Sequence, residues 1–186
     1  SETLHTLVRI IEEQWPGMKG LILLMDEDGR HLRVGAAASL PEEYTQSIEG
    51  LEIGPMVGSC GTAAYTRQRV IVEDIAADPR WEGLRDLAEK YNLGACWSEP
   101  VLSAEGEVLG TFAMYYHARR APSAAELQTI EVAAHLVGIA IQHQRAEDAL
   151  RQAYETLEQR VEERTAEIEK RRRVAESLGE VLRVLN

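Results

Sequence analysis

The sequence is poor in aromatic side chains, with one Phe, three Trp and six Tyr among 186 residues, and it holds only two cysteines. Cys60 and Cys96 are too few for a disulfide-stapled scaffold or a four-cysteine zinc site. Basic charge is also scarce: 20 Lys and Arg face 31 Asp and Glu, a net charge of −11, which argues against nucleic acid as a partner. Long hydrophobic runs are missing. The most apolar stretches, residues 21–25 and 132–141, fall short of the roughly 20 residues a bilayer span needs, so no membrane contact is expected. Ser1-Glu2-Thr3-Leu4 lacks a basic start and a cleavage site, so no secretory leader and a cytoplasmic location are expected. What remains, 45% hydrophobic and 27% charged, is the composition of a globular protein long enough for one domain and one further element.

The charge divides the chain into two regimes. Residues 144–173 carry eight basic and eight acidic side chains and are neutral, whereas residues 1–143 carry about −10 of the total. The first regime reads as mixed α and β. Leu4, Leu7, Val8, Ile10 and Ile11 form one helical face that stops at Pro16-Gly17. Two strands over residues 20–25 and 31–34 are joined by a turn ending at Gly29, and Pro41 opens a short helix. The turn Gly58-Ser-Cys-Gly61 enters another helix, and residues 69–72 form a strand. A helical stretch follows from Asp78-Pro79 to near Asn92, then strands over residues 95–102 and 107–116. Ser123 caps a last helix, with Leu127, Ile130, Ala134, Val137 and Ile141 facing a core.

The second regime has no Gly or Pro from residue 139 to 178, which permits one uninterrupted helix. Leu150, Tyr154, Leu157, Val161 and Ile168 follow a 4-3 ladder that continues to Leu178, Leu182 and Leu185, with charged residues between. A coiled coil is expected over residues 144–173. Arg164 and Arg171 on the seam weaken it, and residues 174–186 read as the start of a following helix or module, so the chain is expected to be part of something longer.

Five segments together carry a family likeness. Gly58-Ser-Cys-Gly-Thr-Ala-Ala-Tyr65, Val70-Ile-Val-Glu-Asp-Ile75, Asp78-Pro-Arg-Trp81, Ala95-Cys-Trp-Ser-Glu-Pro100 and Gly110-Thr-Phe-Ala-Met-Tyr-Tyr116 resemble the GAF domains of bacterial sensor histidine kinases and diguanylate cyclases. The resemblance implies an α+β fold over residues 1–143: an antiparallel sheet of five or six strands with helices on both faces, followed by a long C-terminal coiled-coil helix. It implies a pocket for an unknown small molecule, a parallel homodimer through the terminal helices and coiled coil, and an output domain beyond the chain.

Cys60 stands where a glycine-rich turn enters a helix, so helix amides and dipole favour an anion or thiolate there. Alternation places Cys96 and Ser98 on one face of their strand and Trp97 and Glu99 on the other. The candidate ligand-binding set is therefore Gly58, Ser59, Cys60, Gly61, Trp81, Cys96, Ser98 and Met114, with Leu150, Tyr154, Leu157, Val161 and Ile168 as the dimer seam. Ordinary core packing is the competing account of the cysteines and aromatic residues. Cys60 and Cys96 also match, residue by residue, two cysteines of GAF-type enzymes that reduce free methionine sulfoxide, although Trp97-Ser98-Glu99-Pro100 replaces the acidic segment of those enzymes. They are catalytic only in that alternative. No cysteine is followed by His as in bilin attachment, and the Asn-Lys-Phe-Asp-Glu signature of cyclic-nucleotide-binding domains does not occur. None of the five histidines is placed as an evident haem ligand and no short metal motif occurs, so no metal and no named cofactor is assigned.

Overall fold

The computed structural model describes residues 2–184, with side chains through residue 173; the expected seam positions Leu178, Leu182 and Leu185 lie outside the described side chains. Contacts divide the chain into a compact unit, Ser1–Gln142, and a second unit, His143–Asn186. The first unit opens with α1 (Glu2–Gln14), which buries Leu4, Val8 and Ile11. The hairpin β1 (Met18–Met25) and β2 (His31–Ala37) follows, then α2 (Glu42–Ser47) and the two-residue β3 (Leu51–Glu52). Next come α3 (Gly58–Thr66), β4 (Val70–Val72), a 3-10 helix (Pro79–Leu84), α4 (Arg85–Lys90), β5 (Ala95–Leu102), β6 (Val108–Tyr116) and α5 (Ala124–Val184). The six strands form one antiparallel sheet in the order β3-β2-β1-β6-β5-β4. The expected α+β architecture, with helices on both faces and a long last helix, is the one observed.

Three local differences have physical causes. Strand β2 continues past residue 34 through Gly35, Ala36 and Ala37, weak strand formers held in place by pairing with Leu21 and Ile22 of β1. Strand β3 is too short to leave a periodic signal. The single helical stretch expected from residue 78 is a 3-10 helix capped by the Asp78 side chain, followed by a separate α4.

The sheet separates two cores. On one face Trp97, Phe112, Met114 and Tyr116 pack against Val8 and Ile11 of α1 and against Ile130, Ala134 and Val137 of α5. On the other, Leu23, Cys96, Ala113 and Tyr115 pack against Tyr44 of α2, Cys60 and Ala63 of α3, and Trp81. Neighbouring residues of β5 and β6 thus serve opposite cores, as strand alternation requires. Helix α5 contains an 18-residue window of mean hydropathy 1.3, long and apolar enough to cross a membrane by length and composition. Contiguous runs in the sequence understate this because polar residues interrupt it; the window is 39% buried, and Ile130, Ala133, Ala134 and Val137 belong to the core against α1 and the sheet.

The start of α5 is tied to that core by a capping box. Ser123 and Glu126 exchange hydrogen bonds: the Ser123 amide donates to Glu126 Oε2 at 2.8 Å, and the Glu126 amide donates to Ser123 Oγ at 3.3 Å. The same carboxylate, buried in the protein, accepts from Tyr116 Oη at 2.7 Å and from Arg120 Nη2 at 2.9 Å. Arg120 in turn lies 4.4 Å from the centre of the Tyr116 ring and 5.4 Å from that of Trp97. Burial pushes the Glu126 carboxyl up, but the Ser123 amide, the Tyr116 and Ser123 hydroxyls and the Arg120 charge outweigh it and hold it below the usual carboxylate value. A carboxyl whose folded value is depressed stabilises the fold above its unfolded value and loses that contribution as pH falls through the folded one.

Two expectations follow from this packing. A methyl group on Gly110 would sit 2.1 Å from the Leu23 carbonyl oxygen, so Gly110→Ala should lower stability by about 2 kcal/mol or more in urea titration. Glu126→Gln should be less stable than wild type at neutral pH, and the gap should close as pH falls below the carboxylate range; a constant gap would deny the carboxylate this role.

Candidate functional site

Helix α3 brings Cys60 onto the face of β5 and β6 that carries Cys96 and Tyr115. Its first residue, Gly58, has φ +55, and a Cβ there would meet Leu84 Cδ1 at 3.0 Å; a Cβ on Gly61 would lie 2.8 Å from Val57 Cβ. The two glycines therefore answer to close packing of the helix entry. Ser59 is a structural relay: Trp81 Nε1 donates to Ser59 Oγ at 3.1 Å, and Ser59 Oγ donates to the Cys96 carbonyl at 3.2 Å. This relay joins the 3-10 helix, α3 and β5 through one hydroxyl.

Cys60 Sγ lies 3.8 Å from Tyr115 Oη. Tyr115 is itself enclosed by edge-on contacts with Tyr44 and Trp81, at centroid distances of 5.8 and 6.4 Å. Ser98 and Thr111 lie on the same sheet face and are fully buried, yet neither hydroxyl has a hydrogen-bond partner. Such groups cost stability unless something occasionally satisfies them. The Cys96 thiol, acting against burial and joined by the Ser98, Thr111 and Tyr115 hydroxyls, lowers the Cys60 thiol to about 7. Burial and the adjacent Cys60 push Cys96 well above the ordinary thiol value, and burial does the same to the Tyr115 phenol. The pair thus releases one proton near neutrality and retains the other. Side-chain groups on the sheet thus favour the thiolate, a source the sequence did not suggest.

The cavity beside Cys60 is nearly closed. Gly58, Ser59, Cys60 and Trp81 line it with Tyr44 and Tyr115, and the free space is about 10 Å³, the lower limit for one water molecule. A carboxylate does not fit among the amides of Gly58, Ser59 and Gly61 without movement. Cys96 and Ser98 sit behind Cys60 on β5. Met114 does not join them: it packs with Trp97 in the opposite core, because one step along β6 reverses the face. Sequence reading missed Thr111, Tyr115 and Tyr44. The first two carry a signal, since alternation along β6 sets Thr111, Ala113 and Tyr115 on one face, but the register that places Tyr115 opposite Cys96 is a tertiary fact. Among the described residues, no three His, Cys, Asp or Glu side chains come together to hold a metal ion.

The expected seam residues Leu150, Tyr154, Leu157, Val161 and Ile168 are each more than half exposed in the single chain. Ile10, Val132, Leu136 and Ile139 are exposed on α1 and the first part of α5, and several of them line an apolar groove of about 430 Å³ between the two helices.

Comparison with known proteins settles the family. The profile described as GAF domain matches residues 1–142. The chain belongs to the GAF domain family. A curated relative, the methyl sulfide methyltransferase-associated sensor of Methanosarcina acetivorans, is 43% identical over 152 residues; these cover 82% of this chain and 15% of that protein. The chain thus spans about a seventh of the length of that relative. Among solved structures, a domain assigned to a two-component sensor histidine kinase protein of Sinorhizobium meliloti aligns with TM-score 0.67 and 25% identity, covering 81% of this chain and 96% of that one. The type II free methionine-R-sulfoxide reductase of Thermoplasma acidophilum shares the fold, with TM-score 0.60 at 17% identity over 76% of this chain and 92% of that one. This chain is therefore a GAF domain related to part of a protein named as a sensor.

The split between the two thiols of the GAF domain is open to measurement. A small thiosulfonate reagent should label Cys60 at least about tenfold faster than Cys96, with a rate that rises as pH passes about 7. Equal rates at the two cysteines would contradict the assignment.

Proposed function

We propose that this GAF domain is the cytosolic input module of a multidomain signalling protein. In this reading it acts as a sensor rather than a catalyst: a small ligand or a change in thiol state at the Cys60 cavity alters the packing of α5 in a parallel homodimer, and the coiled coil carries the change to an output domain. The observation that carries the reading is the two-faced use of β5 and β6. Tyr115 lines the cavity and Cys96 lies behind Cys60 in the same core, while their chain neighbours Tyr116 and Trp97 pack in the core that contains α5. A change at the thiols therefore needs one residue step to reach the other core. Kinship with a methanogen sensor supports the sensory role, and likeness to a sensor histidine kinase domain favours a histidine kinase as output over a cyclic-di-GMP enzyme. The exposed apolar stripes on α1 and α5 favour a second copy of the chain as the partner that covers them.

A second reading, a thiol enzyme reducing a methionine-sulfoxide-like substrate through Cys60 and Cys96, draws support from the shared fold of the reductases. The 10 Å³ cavity weighs against it, since such a substrate is many times larger.

Sedimentation velocity of the chain with and without residues 147–186 checks the dimer. The full chain should sediment as a dimer and the shortened one should dissociate more readily. Two equally monomeric species at high concentration would refute the signalling-helix assignment.

A further inference from the structure

The cavity lets one thiol of the pair meet a visitor and withholds the other. Cys60 lines the space; Cys96, wholly buried, is not among its lining residues. The space is about 10 Å³, and its outer rim is formed by the part-exposed Leu51 and Leu84. An organic ligand cannot enter without unpacking the aromatic wall of Tyr44, Trp81 and Tyr115, whereas a molecule of two heavy atoms needs only a small opening. Ser98 and Thr111 offer buried hydroxyls that nothing in the protein satisfies, and Tyr115 Oη lies 3.8 Å from Cys60 Sγ. The Cys60 sulfur thus faces a space of about one water molecule, with the Tyr115 hydroxyl beside it and the Ser98 and Thr111 hydroxyls on the same sheet face.

We propose that Cys60 is a peroxide-reactive cysteine, oxidised by hydrogen peroxide to a sulfenic acid that Cys96 resolves as an intramolecular disulfide. The proposal rests on the sensory reading and names the chemical signal for the same site. In the first step the Cys60 thiolate attacks one peroxide oxygen. An S–O bond forms, the O–O bond breaks, sulfur loses two electrons to the peroxide, and the departing hydroxide takes up a proton to leave as water. In the second step Cys96 sulfur attacks the sulfur of the Cys60 sulfenic acid. The S–S bond forms, the S–O bond breaks, and the hydroxyl leaves as water with the Cys96 proton, so two thiols and one peroxide give one disulfide and two waters. Ser98, Thr111 and Tyr115 act as positioning residues, donating to the thiolate before reaction and to the developing negative charge on the oxygen during it. The lowered Cys60 thiol supplies the thiolate near neutral pH, and the high value at Cys96 keeps that thiol in reserve. The size of the space provides selectivity: hydrogen peroxide needs only a small opening, while a branched alkyl hydroperoxide or free methionine sulfoxide needs the aromatic wall to unpack.

Intact-mass and peptide-mass analysis of the whole chain after a pulse of hydrogen peroxide tests this. Wild type should lose two free thiols and two mass units. Cys96→Ser should instead gain one oxygen, about 16 mass units, at residue 60, and Cys60→Ser should react at least about tenfold more slowly. The double variant Ser98→Ala, Thr111→Val should react about tenfold more slowly than wild type while keeping its circular dichroism spectrum, which separates positioning from misfolding. tert-Butyl hydroperoxide and free methionine sulfoxide should each be at least about tenfold slower than hydrogen peroxide on wild type. Persistence of both thiols in wild type, oxygen added at Cys96 in preference to Cys60, or methionine sulfoxide consuming thiols as fast as peroxide would each overturn the proposal. The sensory reading fails on a separate observable, the self-association of the chain, so either can fall while the other stands.

Discussion

The structure depends on the burial of most of two adjacent strands, β5 and β6, between layers of helices. Where a strand is covered on both faces it has no side chain to spare: each residue faces one core or the other, and its chain neighbours face the opposite one. In most proteins this is only a packing requirement. Here one core holds a pair of thiols and two unsatisfied hydroxyls, and the other holds the start of the longest helix in the molecule. Cys96 and Trp97, or Tyr115 and Tyr116, cannot shift independently, because a displacement along either strand moves both cores together.

What receives such a displacement is a network of charge and aromatic contacts. Tyr116 hydrogen-bonds Glu126 inside the first turn of α5, and Arg120 lies over Tyr116 and Trp97 while reaching the same carboxylate. The capping box that fixes the helix start is therefore bonded to Tyr116, whose chain neighbour Tyr115 lines the thiol cavity. A buried carboxylate with four donors tolerates little change in geometry. Small motions of β6 thus have an outlet in the orientation or fraying of the start of α5.

Much of this was legible in the sequence, and the limits of legibility are physical. Element boundaries followed from Pro16-Gly17, Gly29 and Ser123, whose backbone or capping chemistry acts locally. The facing of Cys96 and Ser98 away from Trp97 followed from alternation alone. Met114 was placed with the cavity because its face depends on which residue of β6 lies opposite Trp97, and that register is decided by the whole sheet. Thr111 and Tyr115 share a face by alternation, but that this face meets Cys96 is set by the same register, and Tyr44 reaches them only through the packing of α2 on the sheet. The role of Glu126 had a local sign, Ser123 followed three residues later by an acid, but its links to Tyr116 and Arg120 arise only when the last strand and the helix meet. The glycines of α3 suggested an anion nest, and the structure assigns them to close packing instead, a distinction that needs the positions of Val57 and Leu84.

Hydrogen exchange followed by mass spectrometry, comparing reduced and peroxide-treated chain, tests the central claim that the thiol cavity and α5 are one mechanical unit. The account predicts that protection changes together in α3, in β5 and β6, and in residues 124–142, and that Tyr116→Phe confines the change to α3 and the strands. A change restricted to α3 in the unaltered chain, with residues 124–142 exchanging identically in both states, would contradict it.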